Sequence, residues 1–439
     1  MFSIEAFYRE AHNGEKIDVG QFCDFLSSFE DLVIWGAGNL GTAVGKKIQD
    51  LGIRISGYWD AHFAQIKERN GIKVSVYNTG DFNKEKTLVL FCIANVPVSP
   101  VLYNKLHDDG WKNTLQGLAV LEGVLCPFSK DAPLDSAYCN SMDICTVCNC
   151  QRLSNIMKYK VSREKGIKEQ DVLSFDRVHF IINNFCNLKC THCFMYMNSY
   201  PSNRKRNVAF DVMKRDIKMV LEAVDSFGVI NVFGGEPFLH PNLSDIVKEI
   251  LSYDNYGSVI VNTNGQATME DKQLEGFEDP RVRLAFSNYT AALGKEQVEH
   301  FEENVKKARA MGITVGVQNE LPNWNVSSTL SDNKKSVDEM EQKAKKCGVR
   351  FLYVHNGKLY PCSMCLSIND LGVADYTTDY IDISKCKDAG ELREKIKEMI
   401  NRSYYQTCGH CDSNLPLTTI AGQQGFDERY ALPKSGGEF

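Results

Sequence analysis

Apolar runs alternate with helix-like patterns in the first part of the chain. The run Asp31–Trp35 leads directly into the glycine-rich segment GAGNLG, and a helical pattern follows it. A second apolar run, Ile53–Trp59, ends at Asp60, and Lys86–Ala94 predicts a later strand of the same sheet. Strand, glycine turn, helix and strand in this order predict a βαβ unit that begins a parallel α/β sheet.

The glycines of this unit are spaced as in a dinucleotide-binding turn. Gly36 permits a tight turn, Gly38 lets the backbone approach a pyrophosphate, and Gly41 lets the helix pack closely on the strand. The helix N-terminus would then face the phosphates, and Asp60 could accept hydrogen bonds from ribose hydroxyls. Two interpretations follow from the pattern: a nucleotide site, or a nucleotide-free fold used for docking or substrate positioning.

A second alternation of strands and helices begins at Arg177 and predicts a parallel sheet with right-handed crossovers. The predicted strands are Val178–Asn183, Val229–Phe233, Ser258–Thr263, Val282–Ser287 and Ile313–Gln318. The predicted helices are Asp211–Ser226, Leu243–Leu251 and Lys295–Met311. A sixth strand is not decided by the pattern. A polar connector, residues 130–176, separates this region from the first one.

Charge and composition narrow the class of protein. The net charge of −6 argues against a general nucleic-acid or membrane-surface binder. The N-terminal residues lack a basic start followed by an apolar core, and the longest apolar run is too short to span a bilayer. We therefore expect a cytoplasmic protein with no nucleic-acid and no membrane partner. Sixteen cysteines are many for that compartment, where disulfides are rare, so their clustering points to metal or iron–sulfur ligands.

Three cysteines follow the first strand of the second region in a CxxxCxxC spacing: Cys186, Cys190 and Cys193. Three thiolates on one loop can hold three corners of a cubane cluster and leave the fourth iron open to a ligand that the protein does not supply. Four thiolates would close the cluster and restrict it to electron transfer. The ligand count therefore predicts a catalytic cluster.

This loop and two later segments resemble the radical S-adenosylmethionine (SAM) superfamily. The segments are Phe233–Pro237 (FGGEP) and Val261–Gly265 (VNTNG), each at the end of a predicted strand. The resemblance implies an anaerobic enzyme that cleaves SAM at a 4Fe–4S cluster and releases a 5′-deoxyadenosyl radical, which abstracts hydrogen from a substrate. It also implies which residues bind SAM: His192, Gly234, Gly235, Glu236, Pro237, Asn262 and Asn264.

The C-terminal cysteines are similar to the auxiliary-cluster extensions called SPASM and twitch domains. Cys347, Cys362, Cys408 and Cys411 match their spacing, and the residues before Cys362 predict a hairpin that turns at Asn356-Gly357. No further cysteines follow in Leu415–Gly422, so one auxiliary cluster of the twitch type fits better than two. Two cysteines depart from the twitch pattern and are alternative ligands, Cys365 and Cys386. A zinc site is the alternative to a cluster here.

The connector carries a further cysteine group at Cys139, Cys145, Cys148 and Cys150. Its CxC end is unusual for a zinc ribbon, and a third cluster, a zinc ion and free thiols all remain open. The resemblance divides the α/β chain into a Rossmann-like domain (1–129), this connector (130–176), a core with a partial (β/α)6 TIM barrel (177–330) and a small auxiliary-cluster domain (331–439).

The substrate is inferred from the first region. Its glycine-rich unit looks like the Rossmann-like domains attached to bacterial sugar-modifying and surface-polysaccharide enzymes. We expect a radical SAM enzyme that oxidises, epimerises or rearranges a carbohydrate or nucleotide-linked small molecule such as a sugar nucleotide. Its cofactors would be SAM and at least two 4Fe–4S clusters, and its electron donor a flavodoxin or ferredoxin. The alternatives are a peptide-modifying maturase and a non-catalytic iron–sulfur redox protein; no residue is identified as hydrogen donor or base.

Overall fold

The chain separates into two compact units, Met1–Cys148 and Asn149–Phe439. The computed structural model describes residues 3–13, 17–64, 66–78, 80–93, 99–121, 124, 151–318, 323–325, 328–347, 351–412 and 418–432. The cysteine group predicted at Cys139, Cys145, Cys148 and Cys150 lies outside the described residues. The predicted division into four parts stays a prediction.

The first unit has an α/β fold, with a largely parallel six-stranded sheet and five helices among the described residues. Its helices are α1 (Ile4–Asn13), α2 (Val19–Ser27), α3 (Asn39–Asp50), α4 (Ser99–Asp108) and α5 (Gly117–Val120). Its strands are β1 (Asp31–Trp35), β2 (Gly57–Trp59), β3 (Glu68–Arg69), β4 (Ile72–Ser75), β5 (Thr87–Phe91) and β6 (Thr114–Gln116). The strands lie in the order β3-β4-β2-β1-β5-β6, and all neighbours are parallel except β3 and β4.

The central strands β1 and β5 are apolar because helices and aromatic rings cover both of their faces. Ile34 and Leu90 belong to the apolar cluster that includes residues of α2 and α3. Val33 and Trp35 point the other way and pack with Trp59 and other rings. The predicted α/β class is confirmed for this unit. Strands β2 and β5 are shorter than the predicted runs Ile53–Trp59 and Lys86–Ala94, since they span Gly57–Trp59 and Thr87–Phe91.

The second unit contains an eight-stranded sheet. Its helices are α6 (Gln151–Lys165), α7 (Phe210–Ala223), α8 (Leu243–Leu251), α9 (Lys295–Ala310), α10 (Val337–Lys346), α11 (Ser363–Leu371) and α12 (Ala389–Ile400). Its strands are β7 (Ser174–Ile181), β8 (Ser226–Phe233), β9 (Tyr256–Thr263), β10 (Val282–Phe286), β11 (Val315–Val317), β12 (Asn323–Asn325), β13 (Phe351–His355), β14 (Lys358–Tyr360), β15 (Ile381–Asp382) and β16 (Thr418–Ile420).

The main sheet runs in the order β11-β10-β9-β8-β7-β13-β14-β15, and its first six strands are parallel. The five predicted strands are β7 to β11, in chain order. The sixth parallel strand is β13, which comes from the predicted hairpin and pairs with β7. The sheet therefore continues across residue 330, where the sequence predicted a domain boundary.

The hairpin of β13 and β14 forms as predicted. Asn356 and Gly357 both have positive φ angles, 46° and 80°, which a type I′ turn requires of its two central residues. The amide of Gly357 also donates to the buried carboxylate of Asp216 in α7 at 2.7 Å. The turn is thus tied to the helix that precedes β8.

One face of the sheet holds the core. Val178, Phe180, Ile230 and Val232 pack against apolar residues of α7, α8, α9 and α12. The alternate residue Ile181 belongs to a separate apolar cluster with α11 and the segment after β7. Among the described residues, no helix combines the length and apolar composition that crossing a bilayer requires.

Candidate functional site

The three predicted motifs meet at one edge of the main sheet. Residues 182–194 follow β7, Gly234–Pro237 follow β8, and Asn264–Gly265 follow β9. These strands are parallel neighbours, so their carboxyl ends lie side by side. Ligands of parallel α/β sheets bind at this edge.

The FGGEP segment is clamped on the residues that lead into the cysteine loop. The amide of Gly235 donates to Asn183 Oδ1 at 3.0 Å, and the amide of Glu236 donates to the Phe185 carbonyl at 3.1 Å. A Cβ at Gly235 would lie 1.8 Å from the Phe185 carbonyl oxygen, and one at Gly234 would lie 2.3 Å from the Asn183 carbonyl oxygen. Only glycine permits this approach, whatever else the motif binds.

Glu236 joins two of the strand ends. Its carboxylate is fully buried and accepts hydrogen bonds from Thr263 Oγ1 at 2.8 Å, from the Asn264 amide at 2.9 Å and from the Phe238 amide at 3.1 Å. Burial raises the pKa of Glu236 to about 7, and these hydrogen bonds oppose the rise. The side chain therefore positions the loop after β9 relative to the loop after β8.

Nitrogen donors face two of the three cysteine sulfurs. Asn264 Nδ2 lies 3.3 Å from Cys186 Sγ, and the Leu188 amide lies 3.4 Å from the same sulfur. Gln424 Nε2 lies 3.5 Å from Cys190 Sγ. N–H donors stabilise a thiolate rather than a thiol, whereas burial raises the pKa of Cys190 to about 11. Half-buried cysteine sulfurs with donors aimed at them fit a bound cation centre, because the metal supplies the positive charge that thiolates need.

Three further predicted SAM residues lie at or near the same edge of the sheet. His192 is buried, and its Nδ1 lies 3.1 Å from the Tyr430 hydroxyl. Burial lowers the pKa of His192, which favours the neutral ring. Pro237 begins a short 3-10 turn, and Asn262 is half-buried in β9.

The structure adds residues that sequence reasoning missed. Tyr289 lies near the cysteine loop: burial, together with the charges of Cys190, Cys193 and Cys186, raises the pKa of its phenol. Tyr289 follows the end of β10, so the rule that sites gather at strand ends could have pointed to it. Gln424 and Tyr430 are far along the chain, and nothing in their local pattern indicates a place at this loop.

Four C-terminal cysteines lie in or directly beside two neighbouring elements, helix α11 and a 3-10 turn. Cys362 precedes α11, and its sulfur lies 3.4 Å from that of Cys365. Helix α11 packs against the 3-10 turn Gln406–Gly409, which contains Cys408, and Cys411 follows that turn with its sulfur 3.9 Å from Ser328 Oγ.

The other two C-terminal cysteines differ in setting. Cys347 is exposed and directly follows α10, which packs against the same 3-10 turn. Cys386 packs against the core on the helix-covered side of the sheet, with Lys395 Nζ at 3.8 Å. Among the described residues, no three Cys, His, Asp or Glu side chains are grouped as ligands of one metal ion.

One apolar cluster connects the two cysteine groups of this unit. It is built from residues that include Tyr196, Tyr353 and Met364, and Cys193 and Cys362 both pack against it. The Tyr196 hydroxyl donates to the Ser328 carbonyl at 2.6 Å and lies 3.3 Å from Met364 Sδ. The two cysteine groups therefore border the same apolar cluster.

In the first unit, the glycine turn has the predicted form. Gly36 has a φ of +109°, and a Cβ at Gly41 would lie 1.8 Å from the Gly36 carbonyl oxygen, so helix α3 does pack closely on the turn. Gly38 faces open space. The carboxylate of Asp60 accepts from the Ala37 amide at 2.7 Å, so this side chain braces the turn itself.

The family comparison gives a match within the second unit. Residues 180–323 match the radical SAM superfamily. GTP 3',8-cyclase of Chlorobaculum tepidum is 29% identical over 102 residues, which cover 23% of this chain and 29% of that protein. GTP 3',8-cyclase of Lactiplantibacillus plantarum is 31% identical over 101 residues, covering 21% and 28%. The chain thus spans less than a third of the length of these curated relatives.

Solved structures with similar chains include BtrN in complex with AdoMet and 2-DOIA, and anSMEcpe with bound AdoMet. The first has a TM-score of 0.33 and 17% identity, covering 55% of this chain and 94% of that chain. The second has a TM-score of 0.31 and 16% identity, covering 52% and 77%. The sequence match therefore identifies a radical SAM domain, of the radical SAM superfamily, within residues 180–323 of this chain. This family implies a 4Fe–4S cluster and SAM as cofactors.

Proposed function

We propose that this protein is a radical SAM enzyme that abstracts hydrogen from a carbohydrate or nucleotide-linked small molecule, aided by an auxiliary 4Fe–4S cluster. The observation that carries the proposal is the convergence of the cysteine loop, the FGGEP segment and the loop after β9 at three adjacent strand ends. In this proposal Cys186, Cys190 and Cys193 hold the catalytic cluster.

When bound, the cluster supplies one electron to SAM, which splits the C5′–S bond into methionine and a 5′-deoxyadenosyl radical. The chain's own residues bind and position. Gly234 and Gly235 let the β8 loop lie against the cysteine loop, and Asn264 connects Cys186 Sγ with Asn187 Oδ1, at 3.3 Å and 2.9 Å. His192, whose ring nitrogen lies 3.1 Å from the Tyr430 hydroxyl, offers an aromatic ring on the loop. Buried side chains around this edge exclude water from a radical that would otherwise be lost.

The substrate class rests on two supports. The curated relatives that share sequence with this chain are named for a nucleotide, GTP. In the first unit, the turn at Gly36 and the open face of Gly38 suit the pyrophosphate of a nucleotide handle. Asp60 would serve that site by holding the turn, through the Ala37 amide.

If the product is oxidised, the reaction releases one electron from the substrate radical, and a second cluster would accept it. The 5′-deoxyadenosyl radical takes one hydrogen atom from the substrate and leaves as 5′-deoxyadenosine. The substrate radical would then lose one proton and one electron, and an auxiliary cluster held by the C-terminal cysteines would supply the acceptor for that electron. A flavodoxin or ferredoxin would donate the electron that starts each turnover. If the substrate radical instead takes a hydrogen atom back from 5′-deoxyadenosine, or gains one electron from the same donor and one proton from solvent, the outcome is epimerisation, or rearrangement or cyclisation where the radical first rearranges or closes a ring.

The substrate is tested by anaerobic turnover of the reconstituted protein with SAM and a low-potential reductant. We expect sugar nucleotides to raise 5′-deoxyadenosine formation above the rate without substrate, and peptides to leave it unchanged. Deuterium transfer from a labelled sugar nucleotide to 5′-deoxyadenosine would identify the abstracted hydrogen. Stimulation by a peptide, with none by sugar nucleotides or nucleotides, would contradict the proposed substrate class and favour a maturase.

The ligands of the auxiliary cluster are tested with single Cys→Ser variants. The predicted ligand set is Cys347, Cys362, Cys408 and Cys411, and we expect each of these variants to lose about four irons, one cubane. Cys365 is the competing ligand because its sulfur is 3.4 Å from that of Cys362. Iron and sulfide content and the EPR signal of the remaining cluster are the measurements.

Cys386→Ser is the matched control, since this cysteine packs on another face of the sheet. If Cys347→Ser keeps its full iron content and Cys365→Ser loses iron, then Cys365 rather than Cys347 is the ligand of the auxiliary cluster. If the wild-type protein contains zinc, and iron for only one cubane, the proposed auxiliary iron–sulfur cluster is contradicted.

A further inference from the structure

A C-terminal segment, Ile420–Tyr430, lies along the cysteine loop. Cys190 and Gln424 form an antiparallel bridge. The Thr191 amide donates to the Gln423 carbonyl at 2.8 Å, and the Gly425 amide donates to the Lys189 carbonyl at 2.8 Å. The backbone on both sides of Cys190 is therefore paired with residues more than two hundred positions later.

Side chains hold the same segment in place. Asn198 Nδ2 donates to the Cys190 carbonyl at 3.0 Å and to the Gly425 carbonyl at 3.2 Å. Ser199 Oγ donates to the Tyr430 carbonyl at 2.6 Å. A Cβ at Gly422 would lie 2.5 Å from the Cβ of Tyr289, so the segment also packs tightly on the loop after β10.

The amide of Gln424 has one orientation that its partners allow. Its Oε1 accepts from the Lys189 amide at 2.7 Å, and a backbone N–H can only donate. The other end must therefore be the NH₂ group, and it contacts the Gly422 carbonyl and lies 3.5 Å from Cys190 Sγ. The side chain thus presents a donor, not an acceptor, to the sulfur.

We propose that Gln424 is a positioning residue for the catalytic cluster, whose hydrogen bond to Cys190 Sγ raises the cluster's reduction potential. The inference rests on the proposed function, because it requires Cys190 to bind a cluster. Reduction adds negative charge to the cluster and its sulfurs, and an N–H donor at a ligand sulfur stabilises that charge. The C-terminal segment therefore does two things: it pairs with the loop backbone and sets how readily the cluster accepts its electron.

The test compares three variants by EPR-monitored redox titration of the reconstituted protein. Gln424→Ala removes all three contacts of the side chain, those with the Lys189 amide, the Gly422 carbonyl and Cys190 Sγ. Gln424→Glu keeps an oxygen for the Lys189 amide but replaces the donor at the sulfur by an acceptor. Gln423→Ala is the matched control, since Gln423 contacts the loop through its backbone carbonyl and its side chain faces Thr419.

We expect iron content near the wild-type value in all three variants. The ratio of reduced to oxidised catalytic cluster is compared at a solution potential equal to the wild-type midpoint potential. We expect this ratio to fall several-fold in Gln424→Ala and further in Gln424→Glu, and to stay unchanged in Gln423→Ala. A tenfold fall would equal ~59 mV for this one-electron couple. Wild-type potentials in both Gln424 variants would overturn the inference and leave the proposed function standing. Absence of any cluster bound to the cysteine loop in the wild-type protein would instead overturn the proposed function.

Discussion

Replacement of Cys186, Cys190 and Cys193 together by alanine is expected to abolish reductant-dependent cleavage of SAM and to remove about four irons, one cubane, from the protein. The three sulfurs are on one loop, and the donors Asn264 and Gln424 contact two of them. The measurements are anaerobic iron and sulfide content and the yield of 5′-deoxyadenosine.

Cys23→Ala is the control for this variant, because Cys23 lies on α2 in the other unit. A wild-type protein with two clusters should hold about eight irons, and about twelve would promote the group at Cys139–Cys150 to a third site. Undiminished iron and SAM cleavage in the triple variant would refute the assignment of the catalytic cluster. If the wild-type protein holds iron but does not cleave SAM, the assay is repeated with sugar nucleotides. Cleavage that then appears indicates an enzyme that requires its substrate, and continued absence indicates a redox protein.

Gly235→Ala is expected to destabilise the second unit and to impair loading of the catalytic cluster. The new methyl group would lie 1.8 Å from the Phe185 carbonyl oxygen and 2.8 Å from the Cys186 nitrogen, both of which are backbone atoms. Backbone cannot rotate away as a side chain can, so the FGGEP loop and the cysteine loop must separate. We expect a loss of about 1–3 kcal/mol in the free energy of unfolding, the range typical of overpacked sites.

Chemical denaturation of the metal-free protein measures the stability loss, and iron content after reconstitution measures the loading. Gly294→Ala is the matched control in the same unit, because its new Cβ would meet its nearest neighbour at 3.7 Å, an ordinary contact. Equal stability and loading of Gly235→Ala and wild type would show that the two loops are not held as closely as the structure has them.

Much of the fold was predictable from local pattern. The five strands β7 to β11 and the helices between them follow the alternation of apolar runs and helical periods, and Leu243–Leu251 is a helix with the predicted bounds. The hairpin turn at Asn356-Gly357 was predictable because two residues with positive φ need such a pair. What the pattern left undecided was the sixth parallel strand, because β13 pairs with β7 across more than 170 residues of chain.

The candidate site, like the fold, has features that the sequence predicts and features that only the tertiary structure reveals. The spacing of Cys186, Cys190 and Cys193 and the FGGEP segment lie within short windows, so the sequence by itself determined the chemistry they suit and the strand ends that carry them. The tertiary structure alone decided that the carboxylate of Glu236 ties two loops together and that Gln424 reaches Cys190. The spacing of residues within one loop indicates which of its side chains can bind a ligand together. Which distant side chain supports that loop depends on packing between segments, and no local period encodes such a contact.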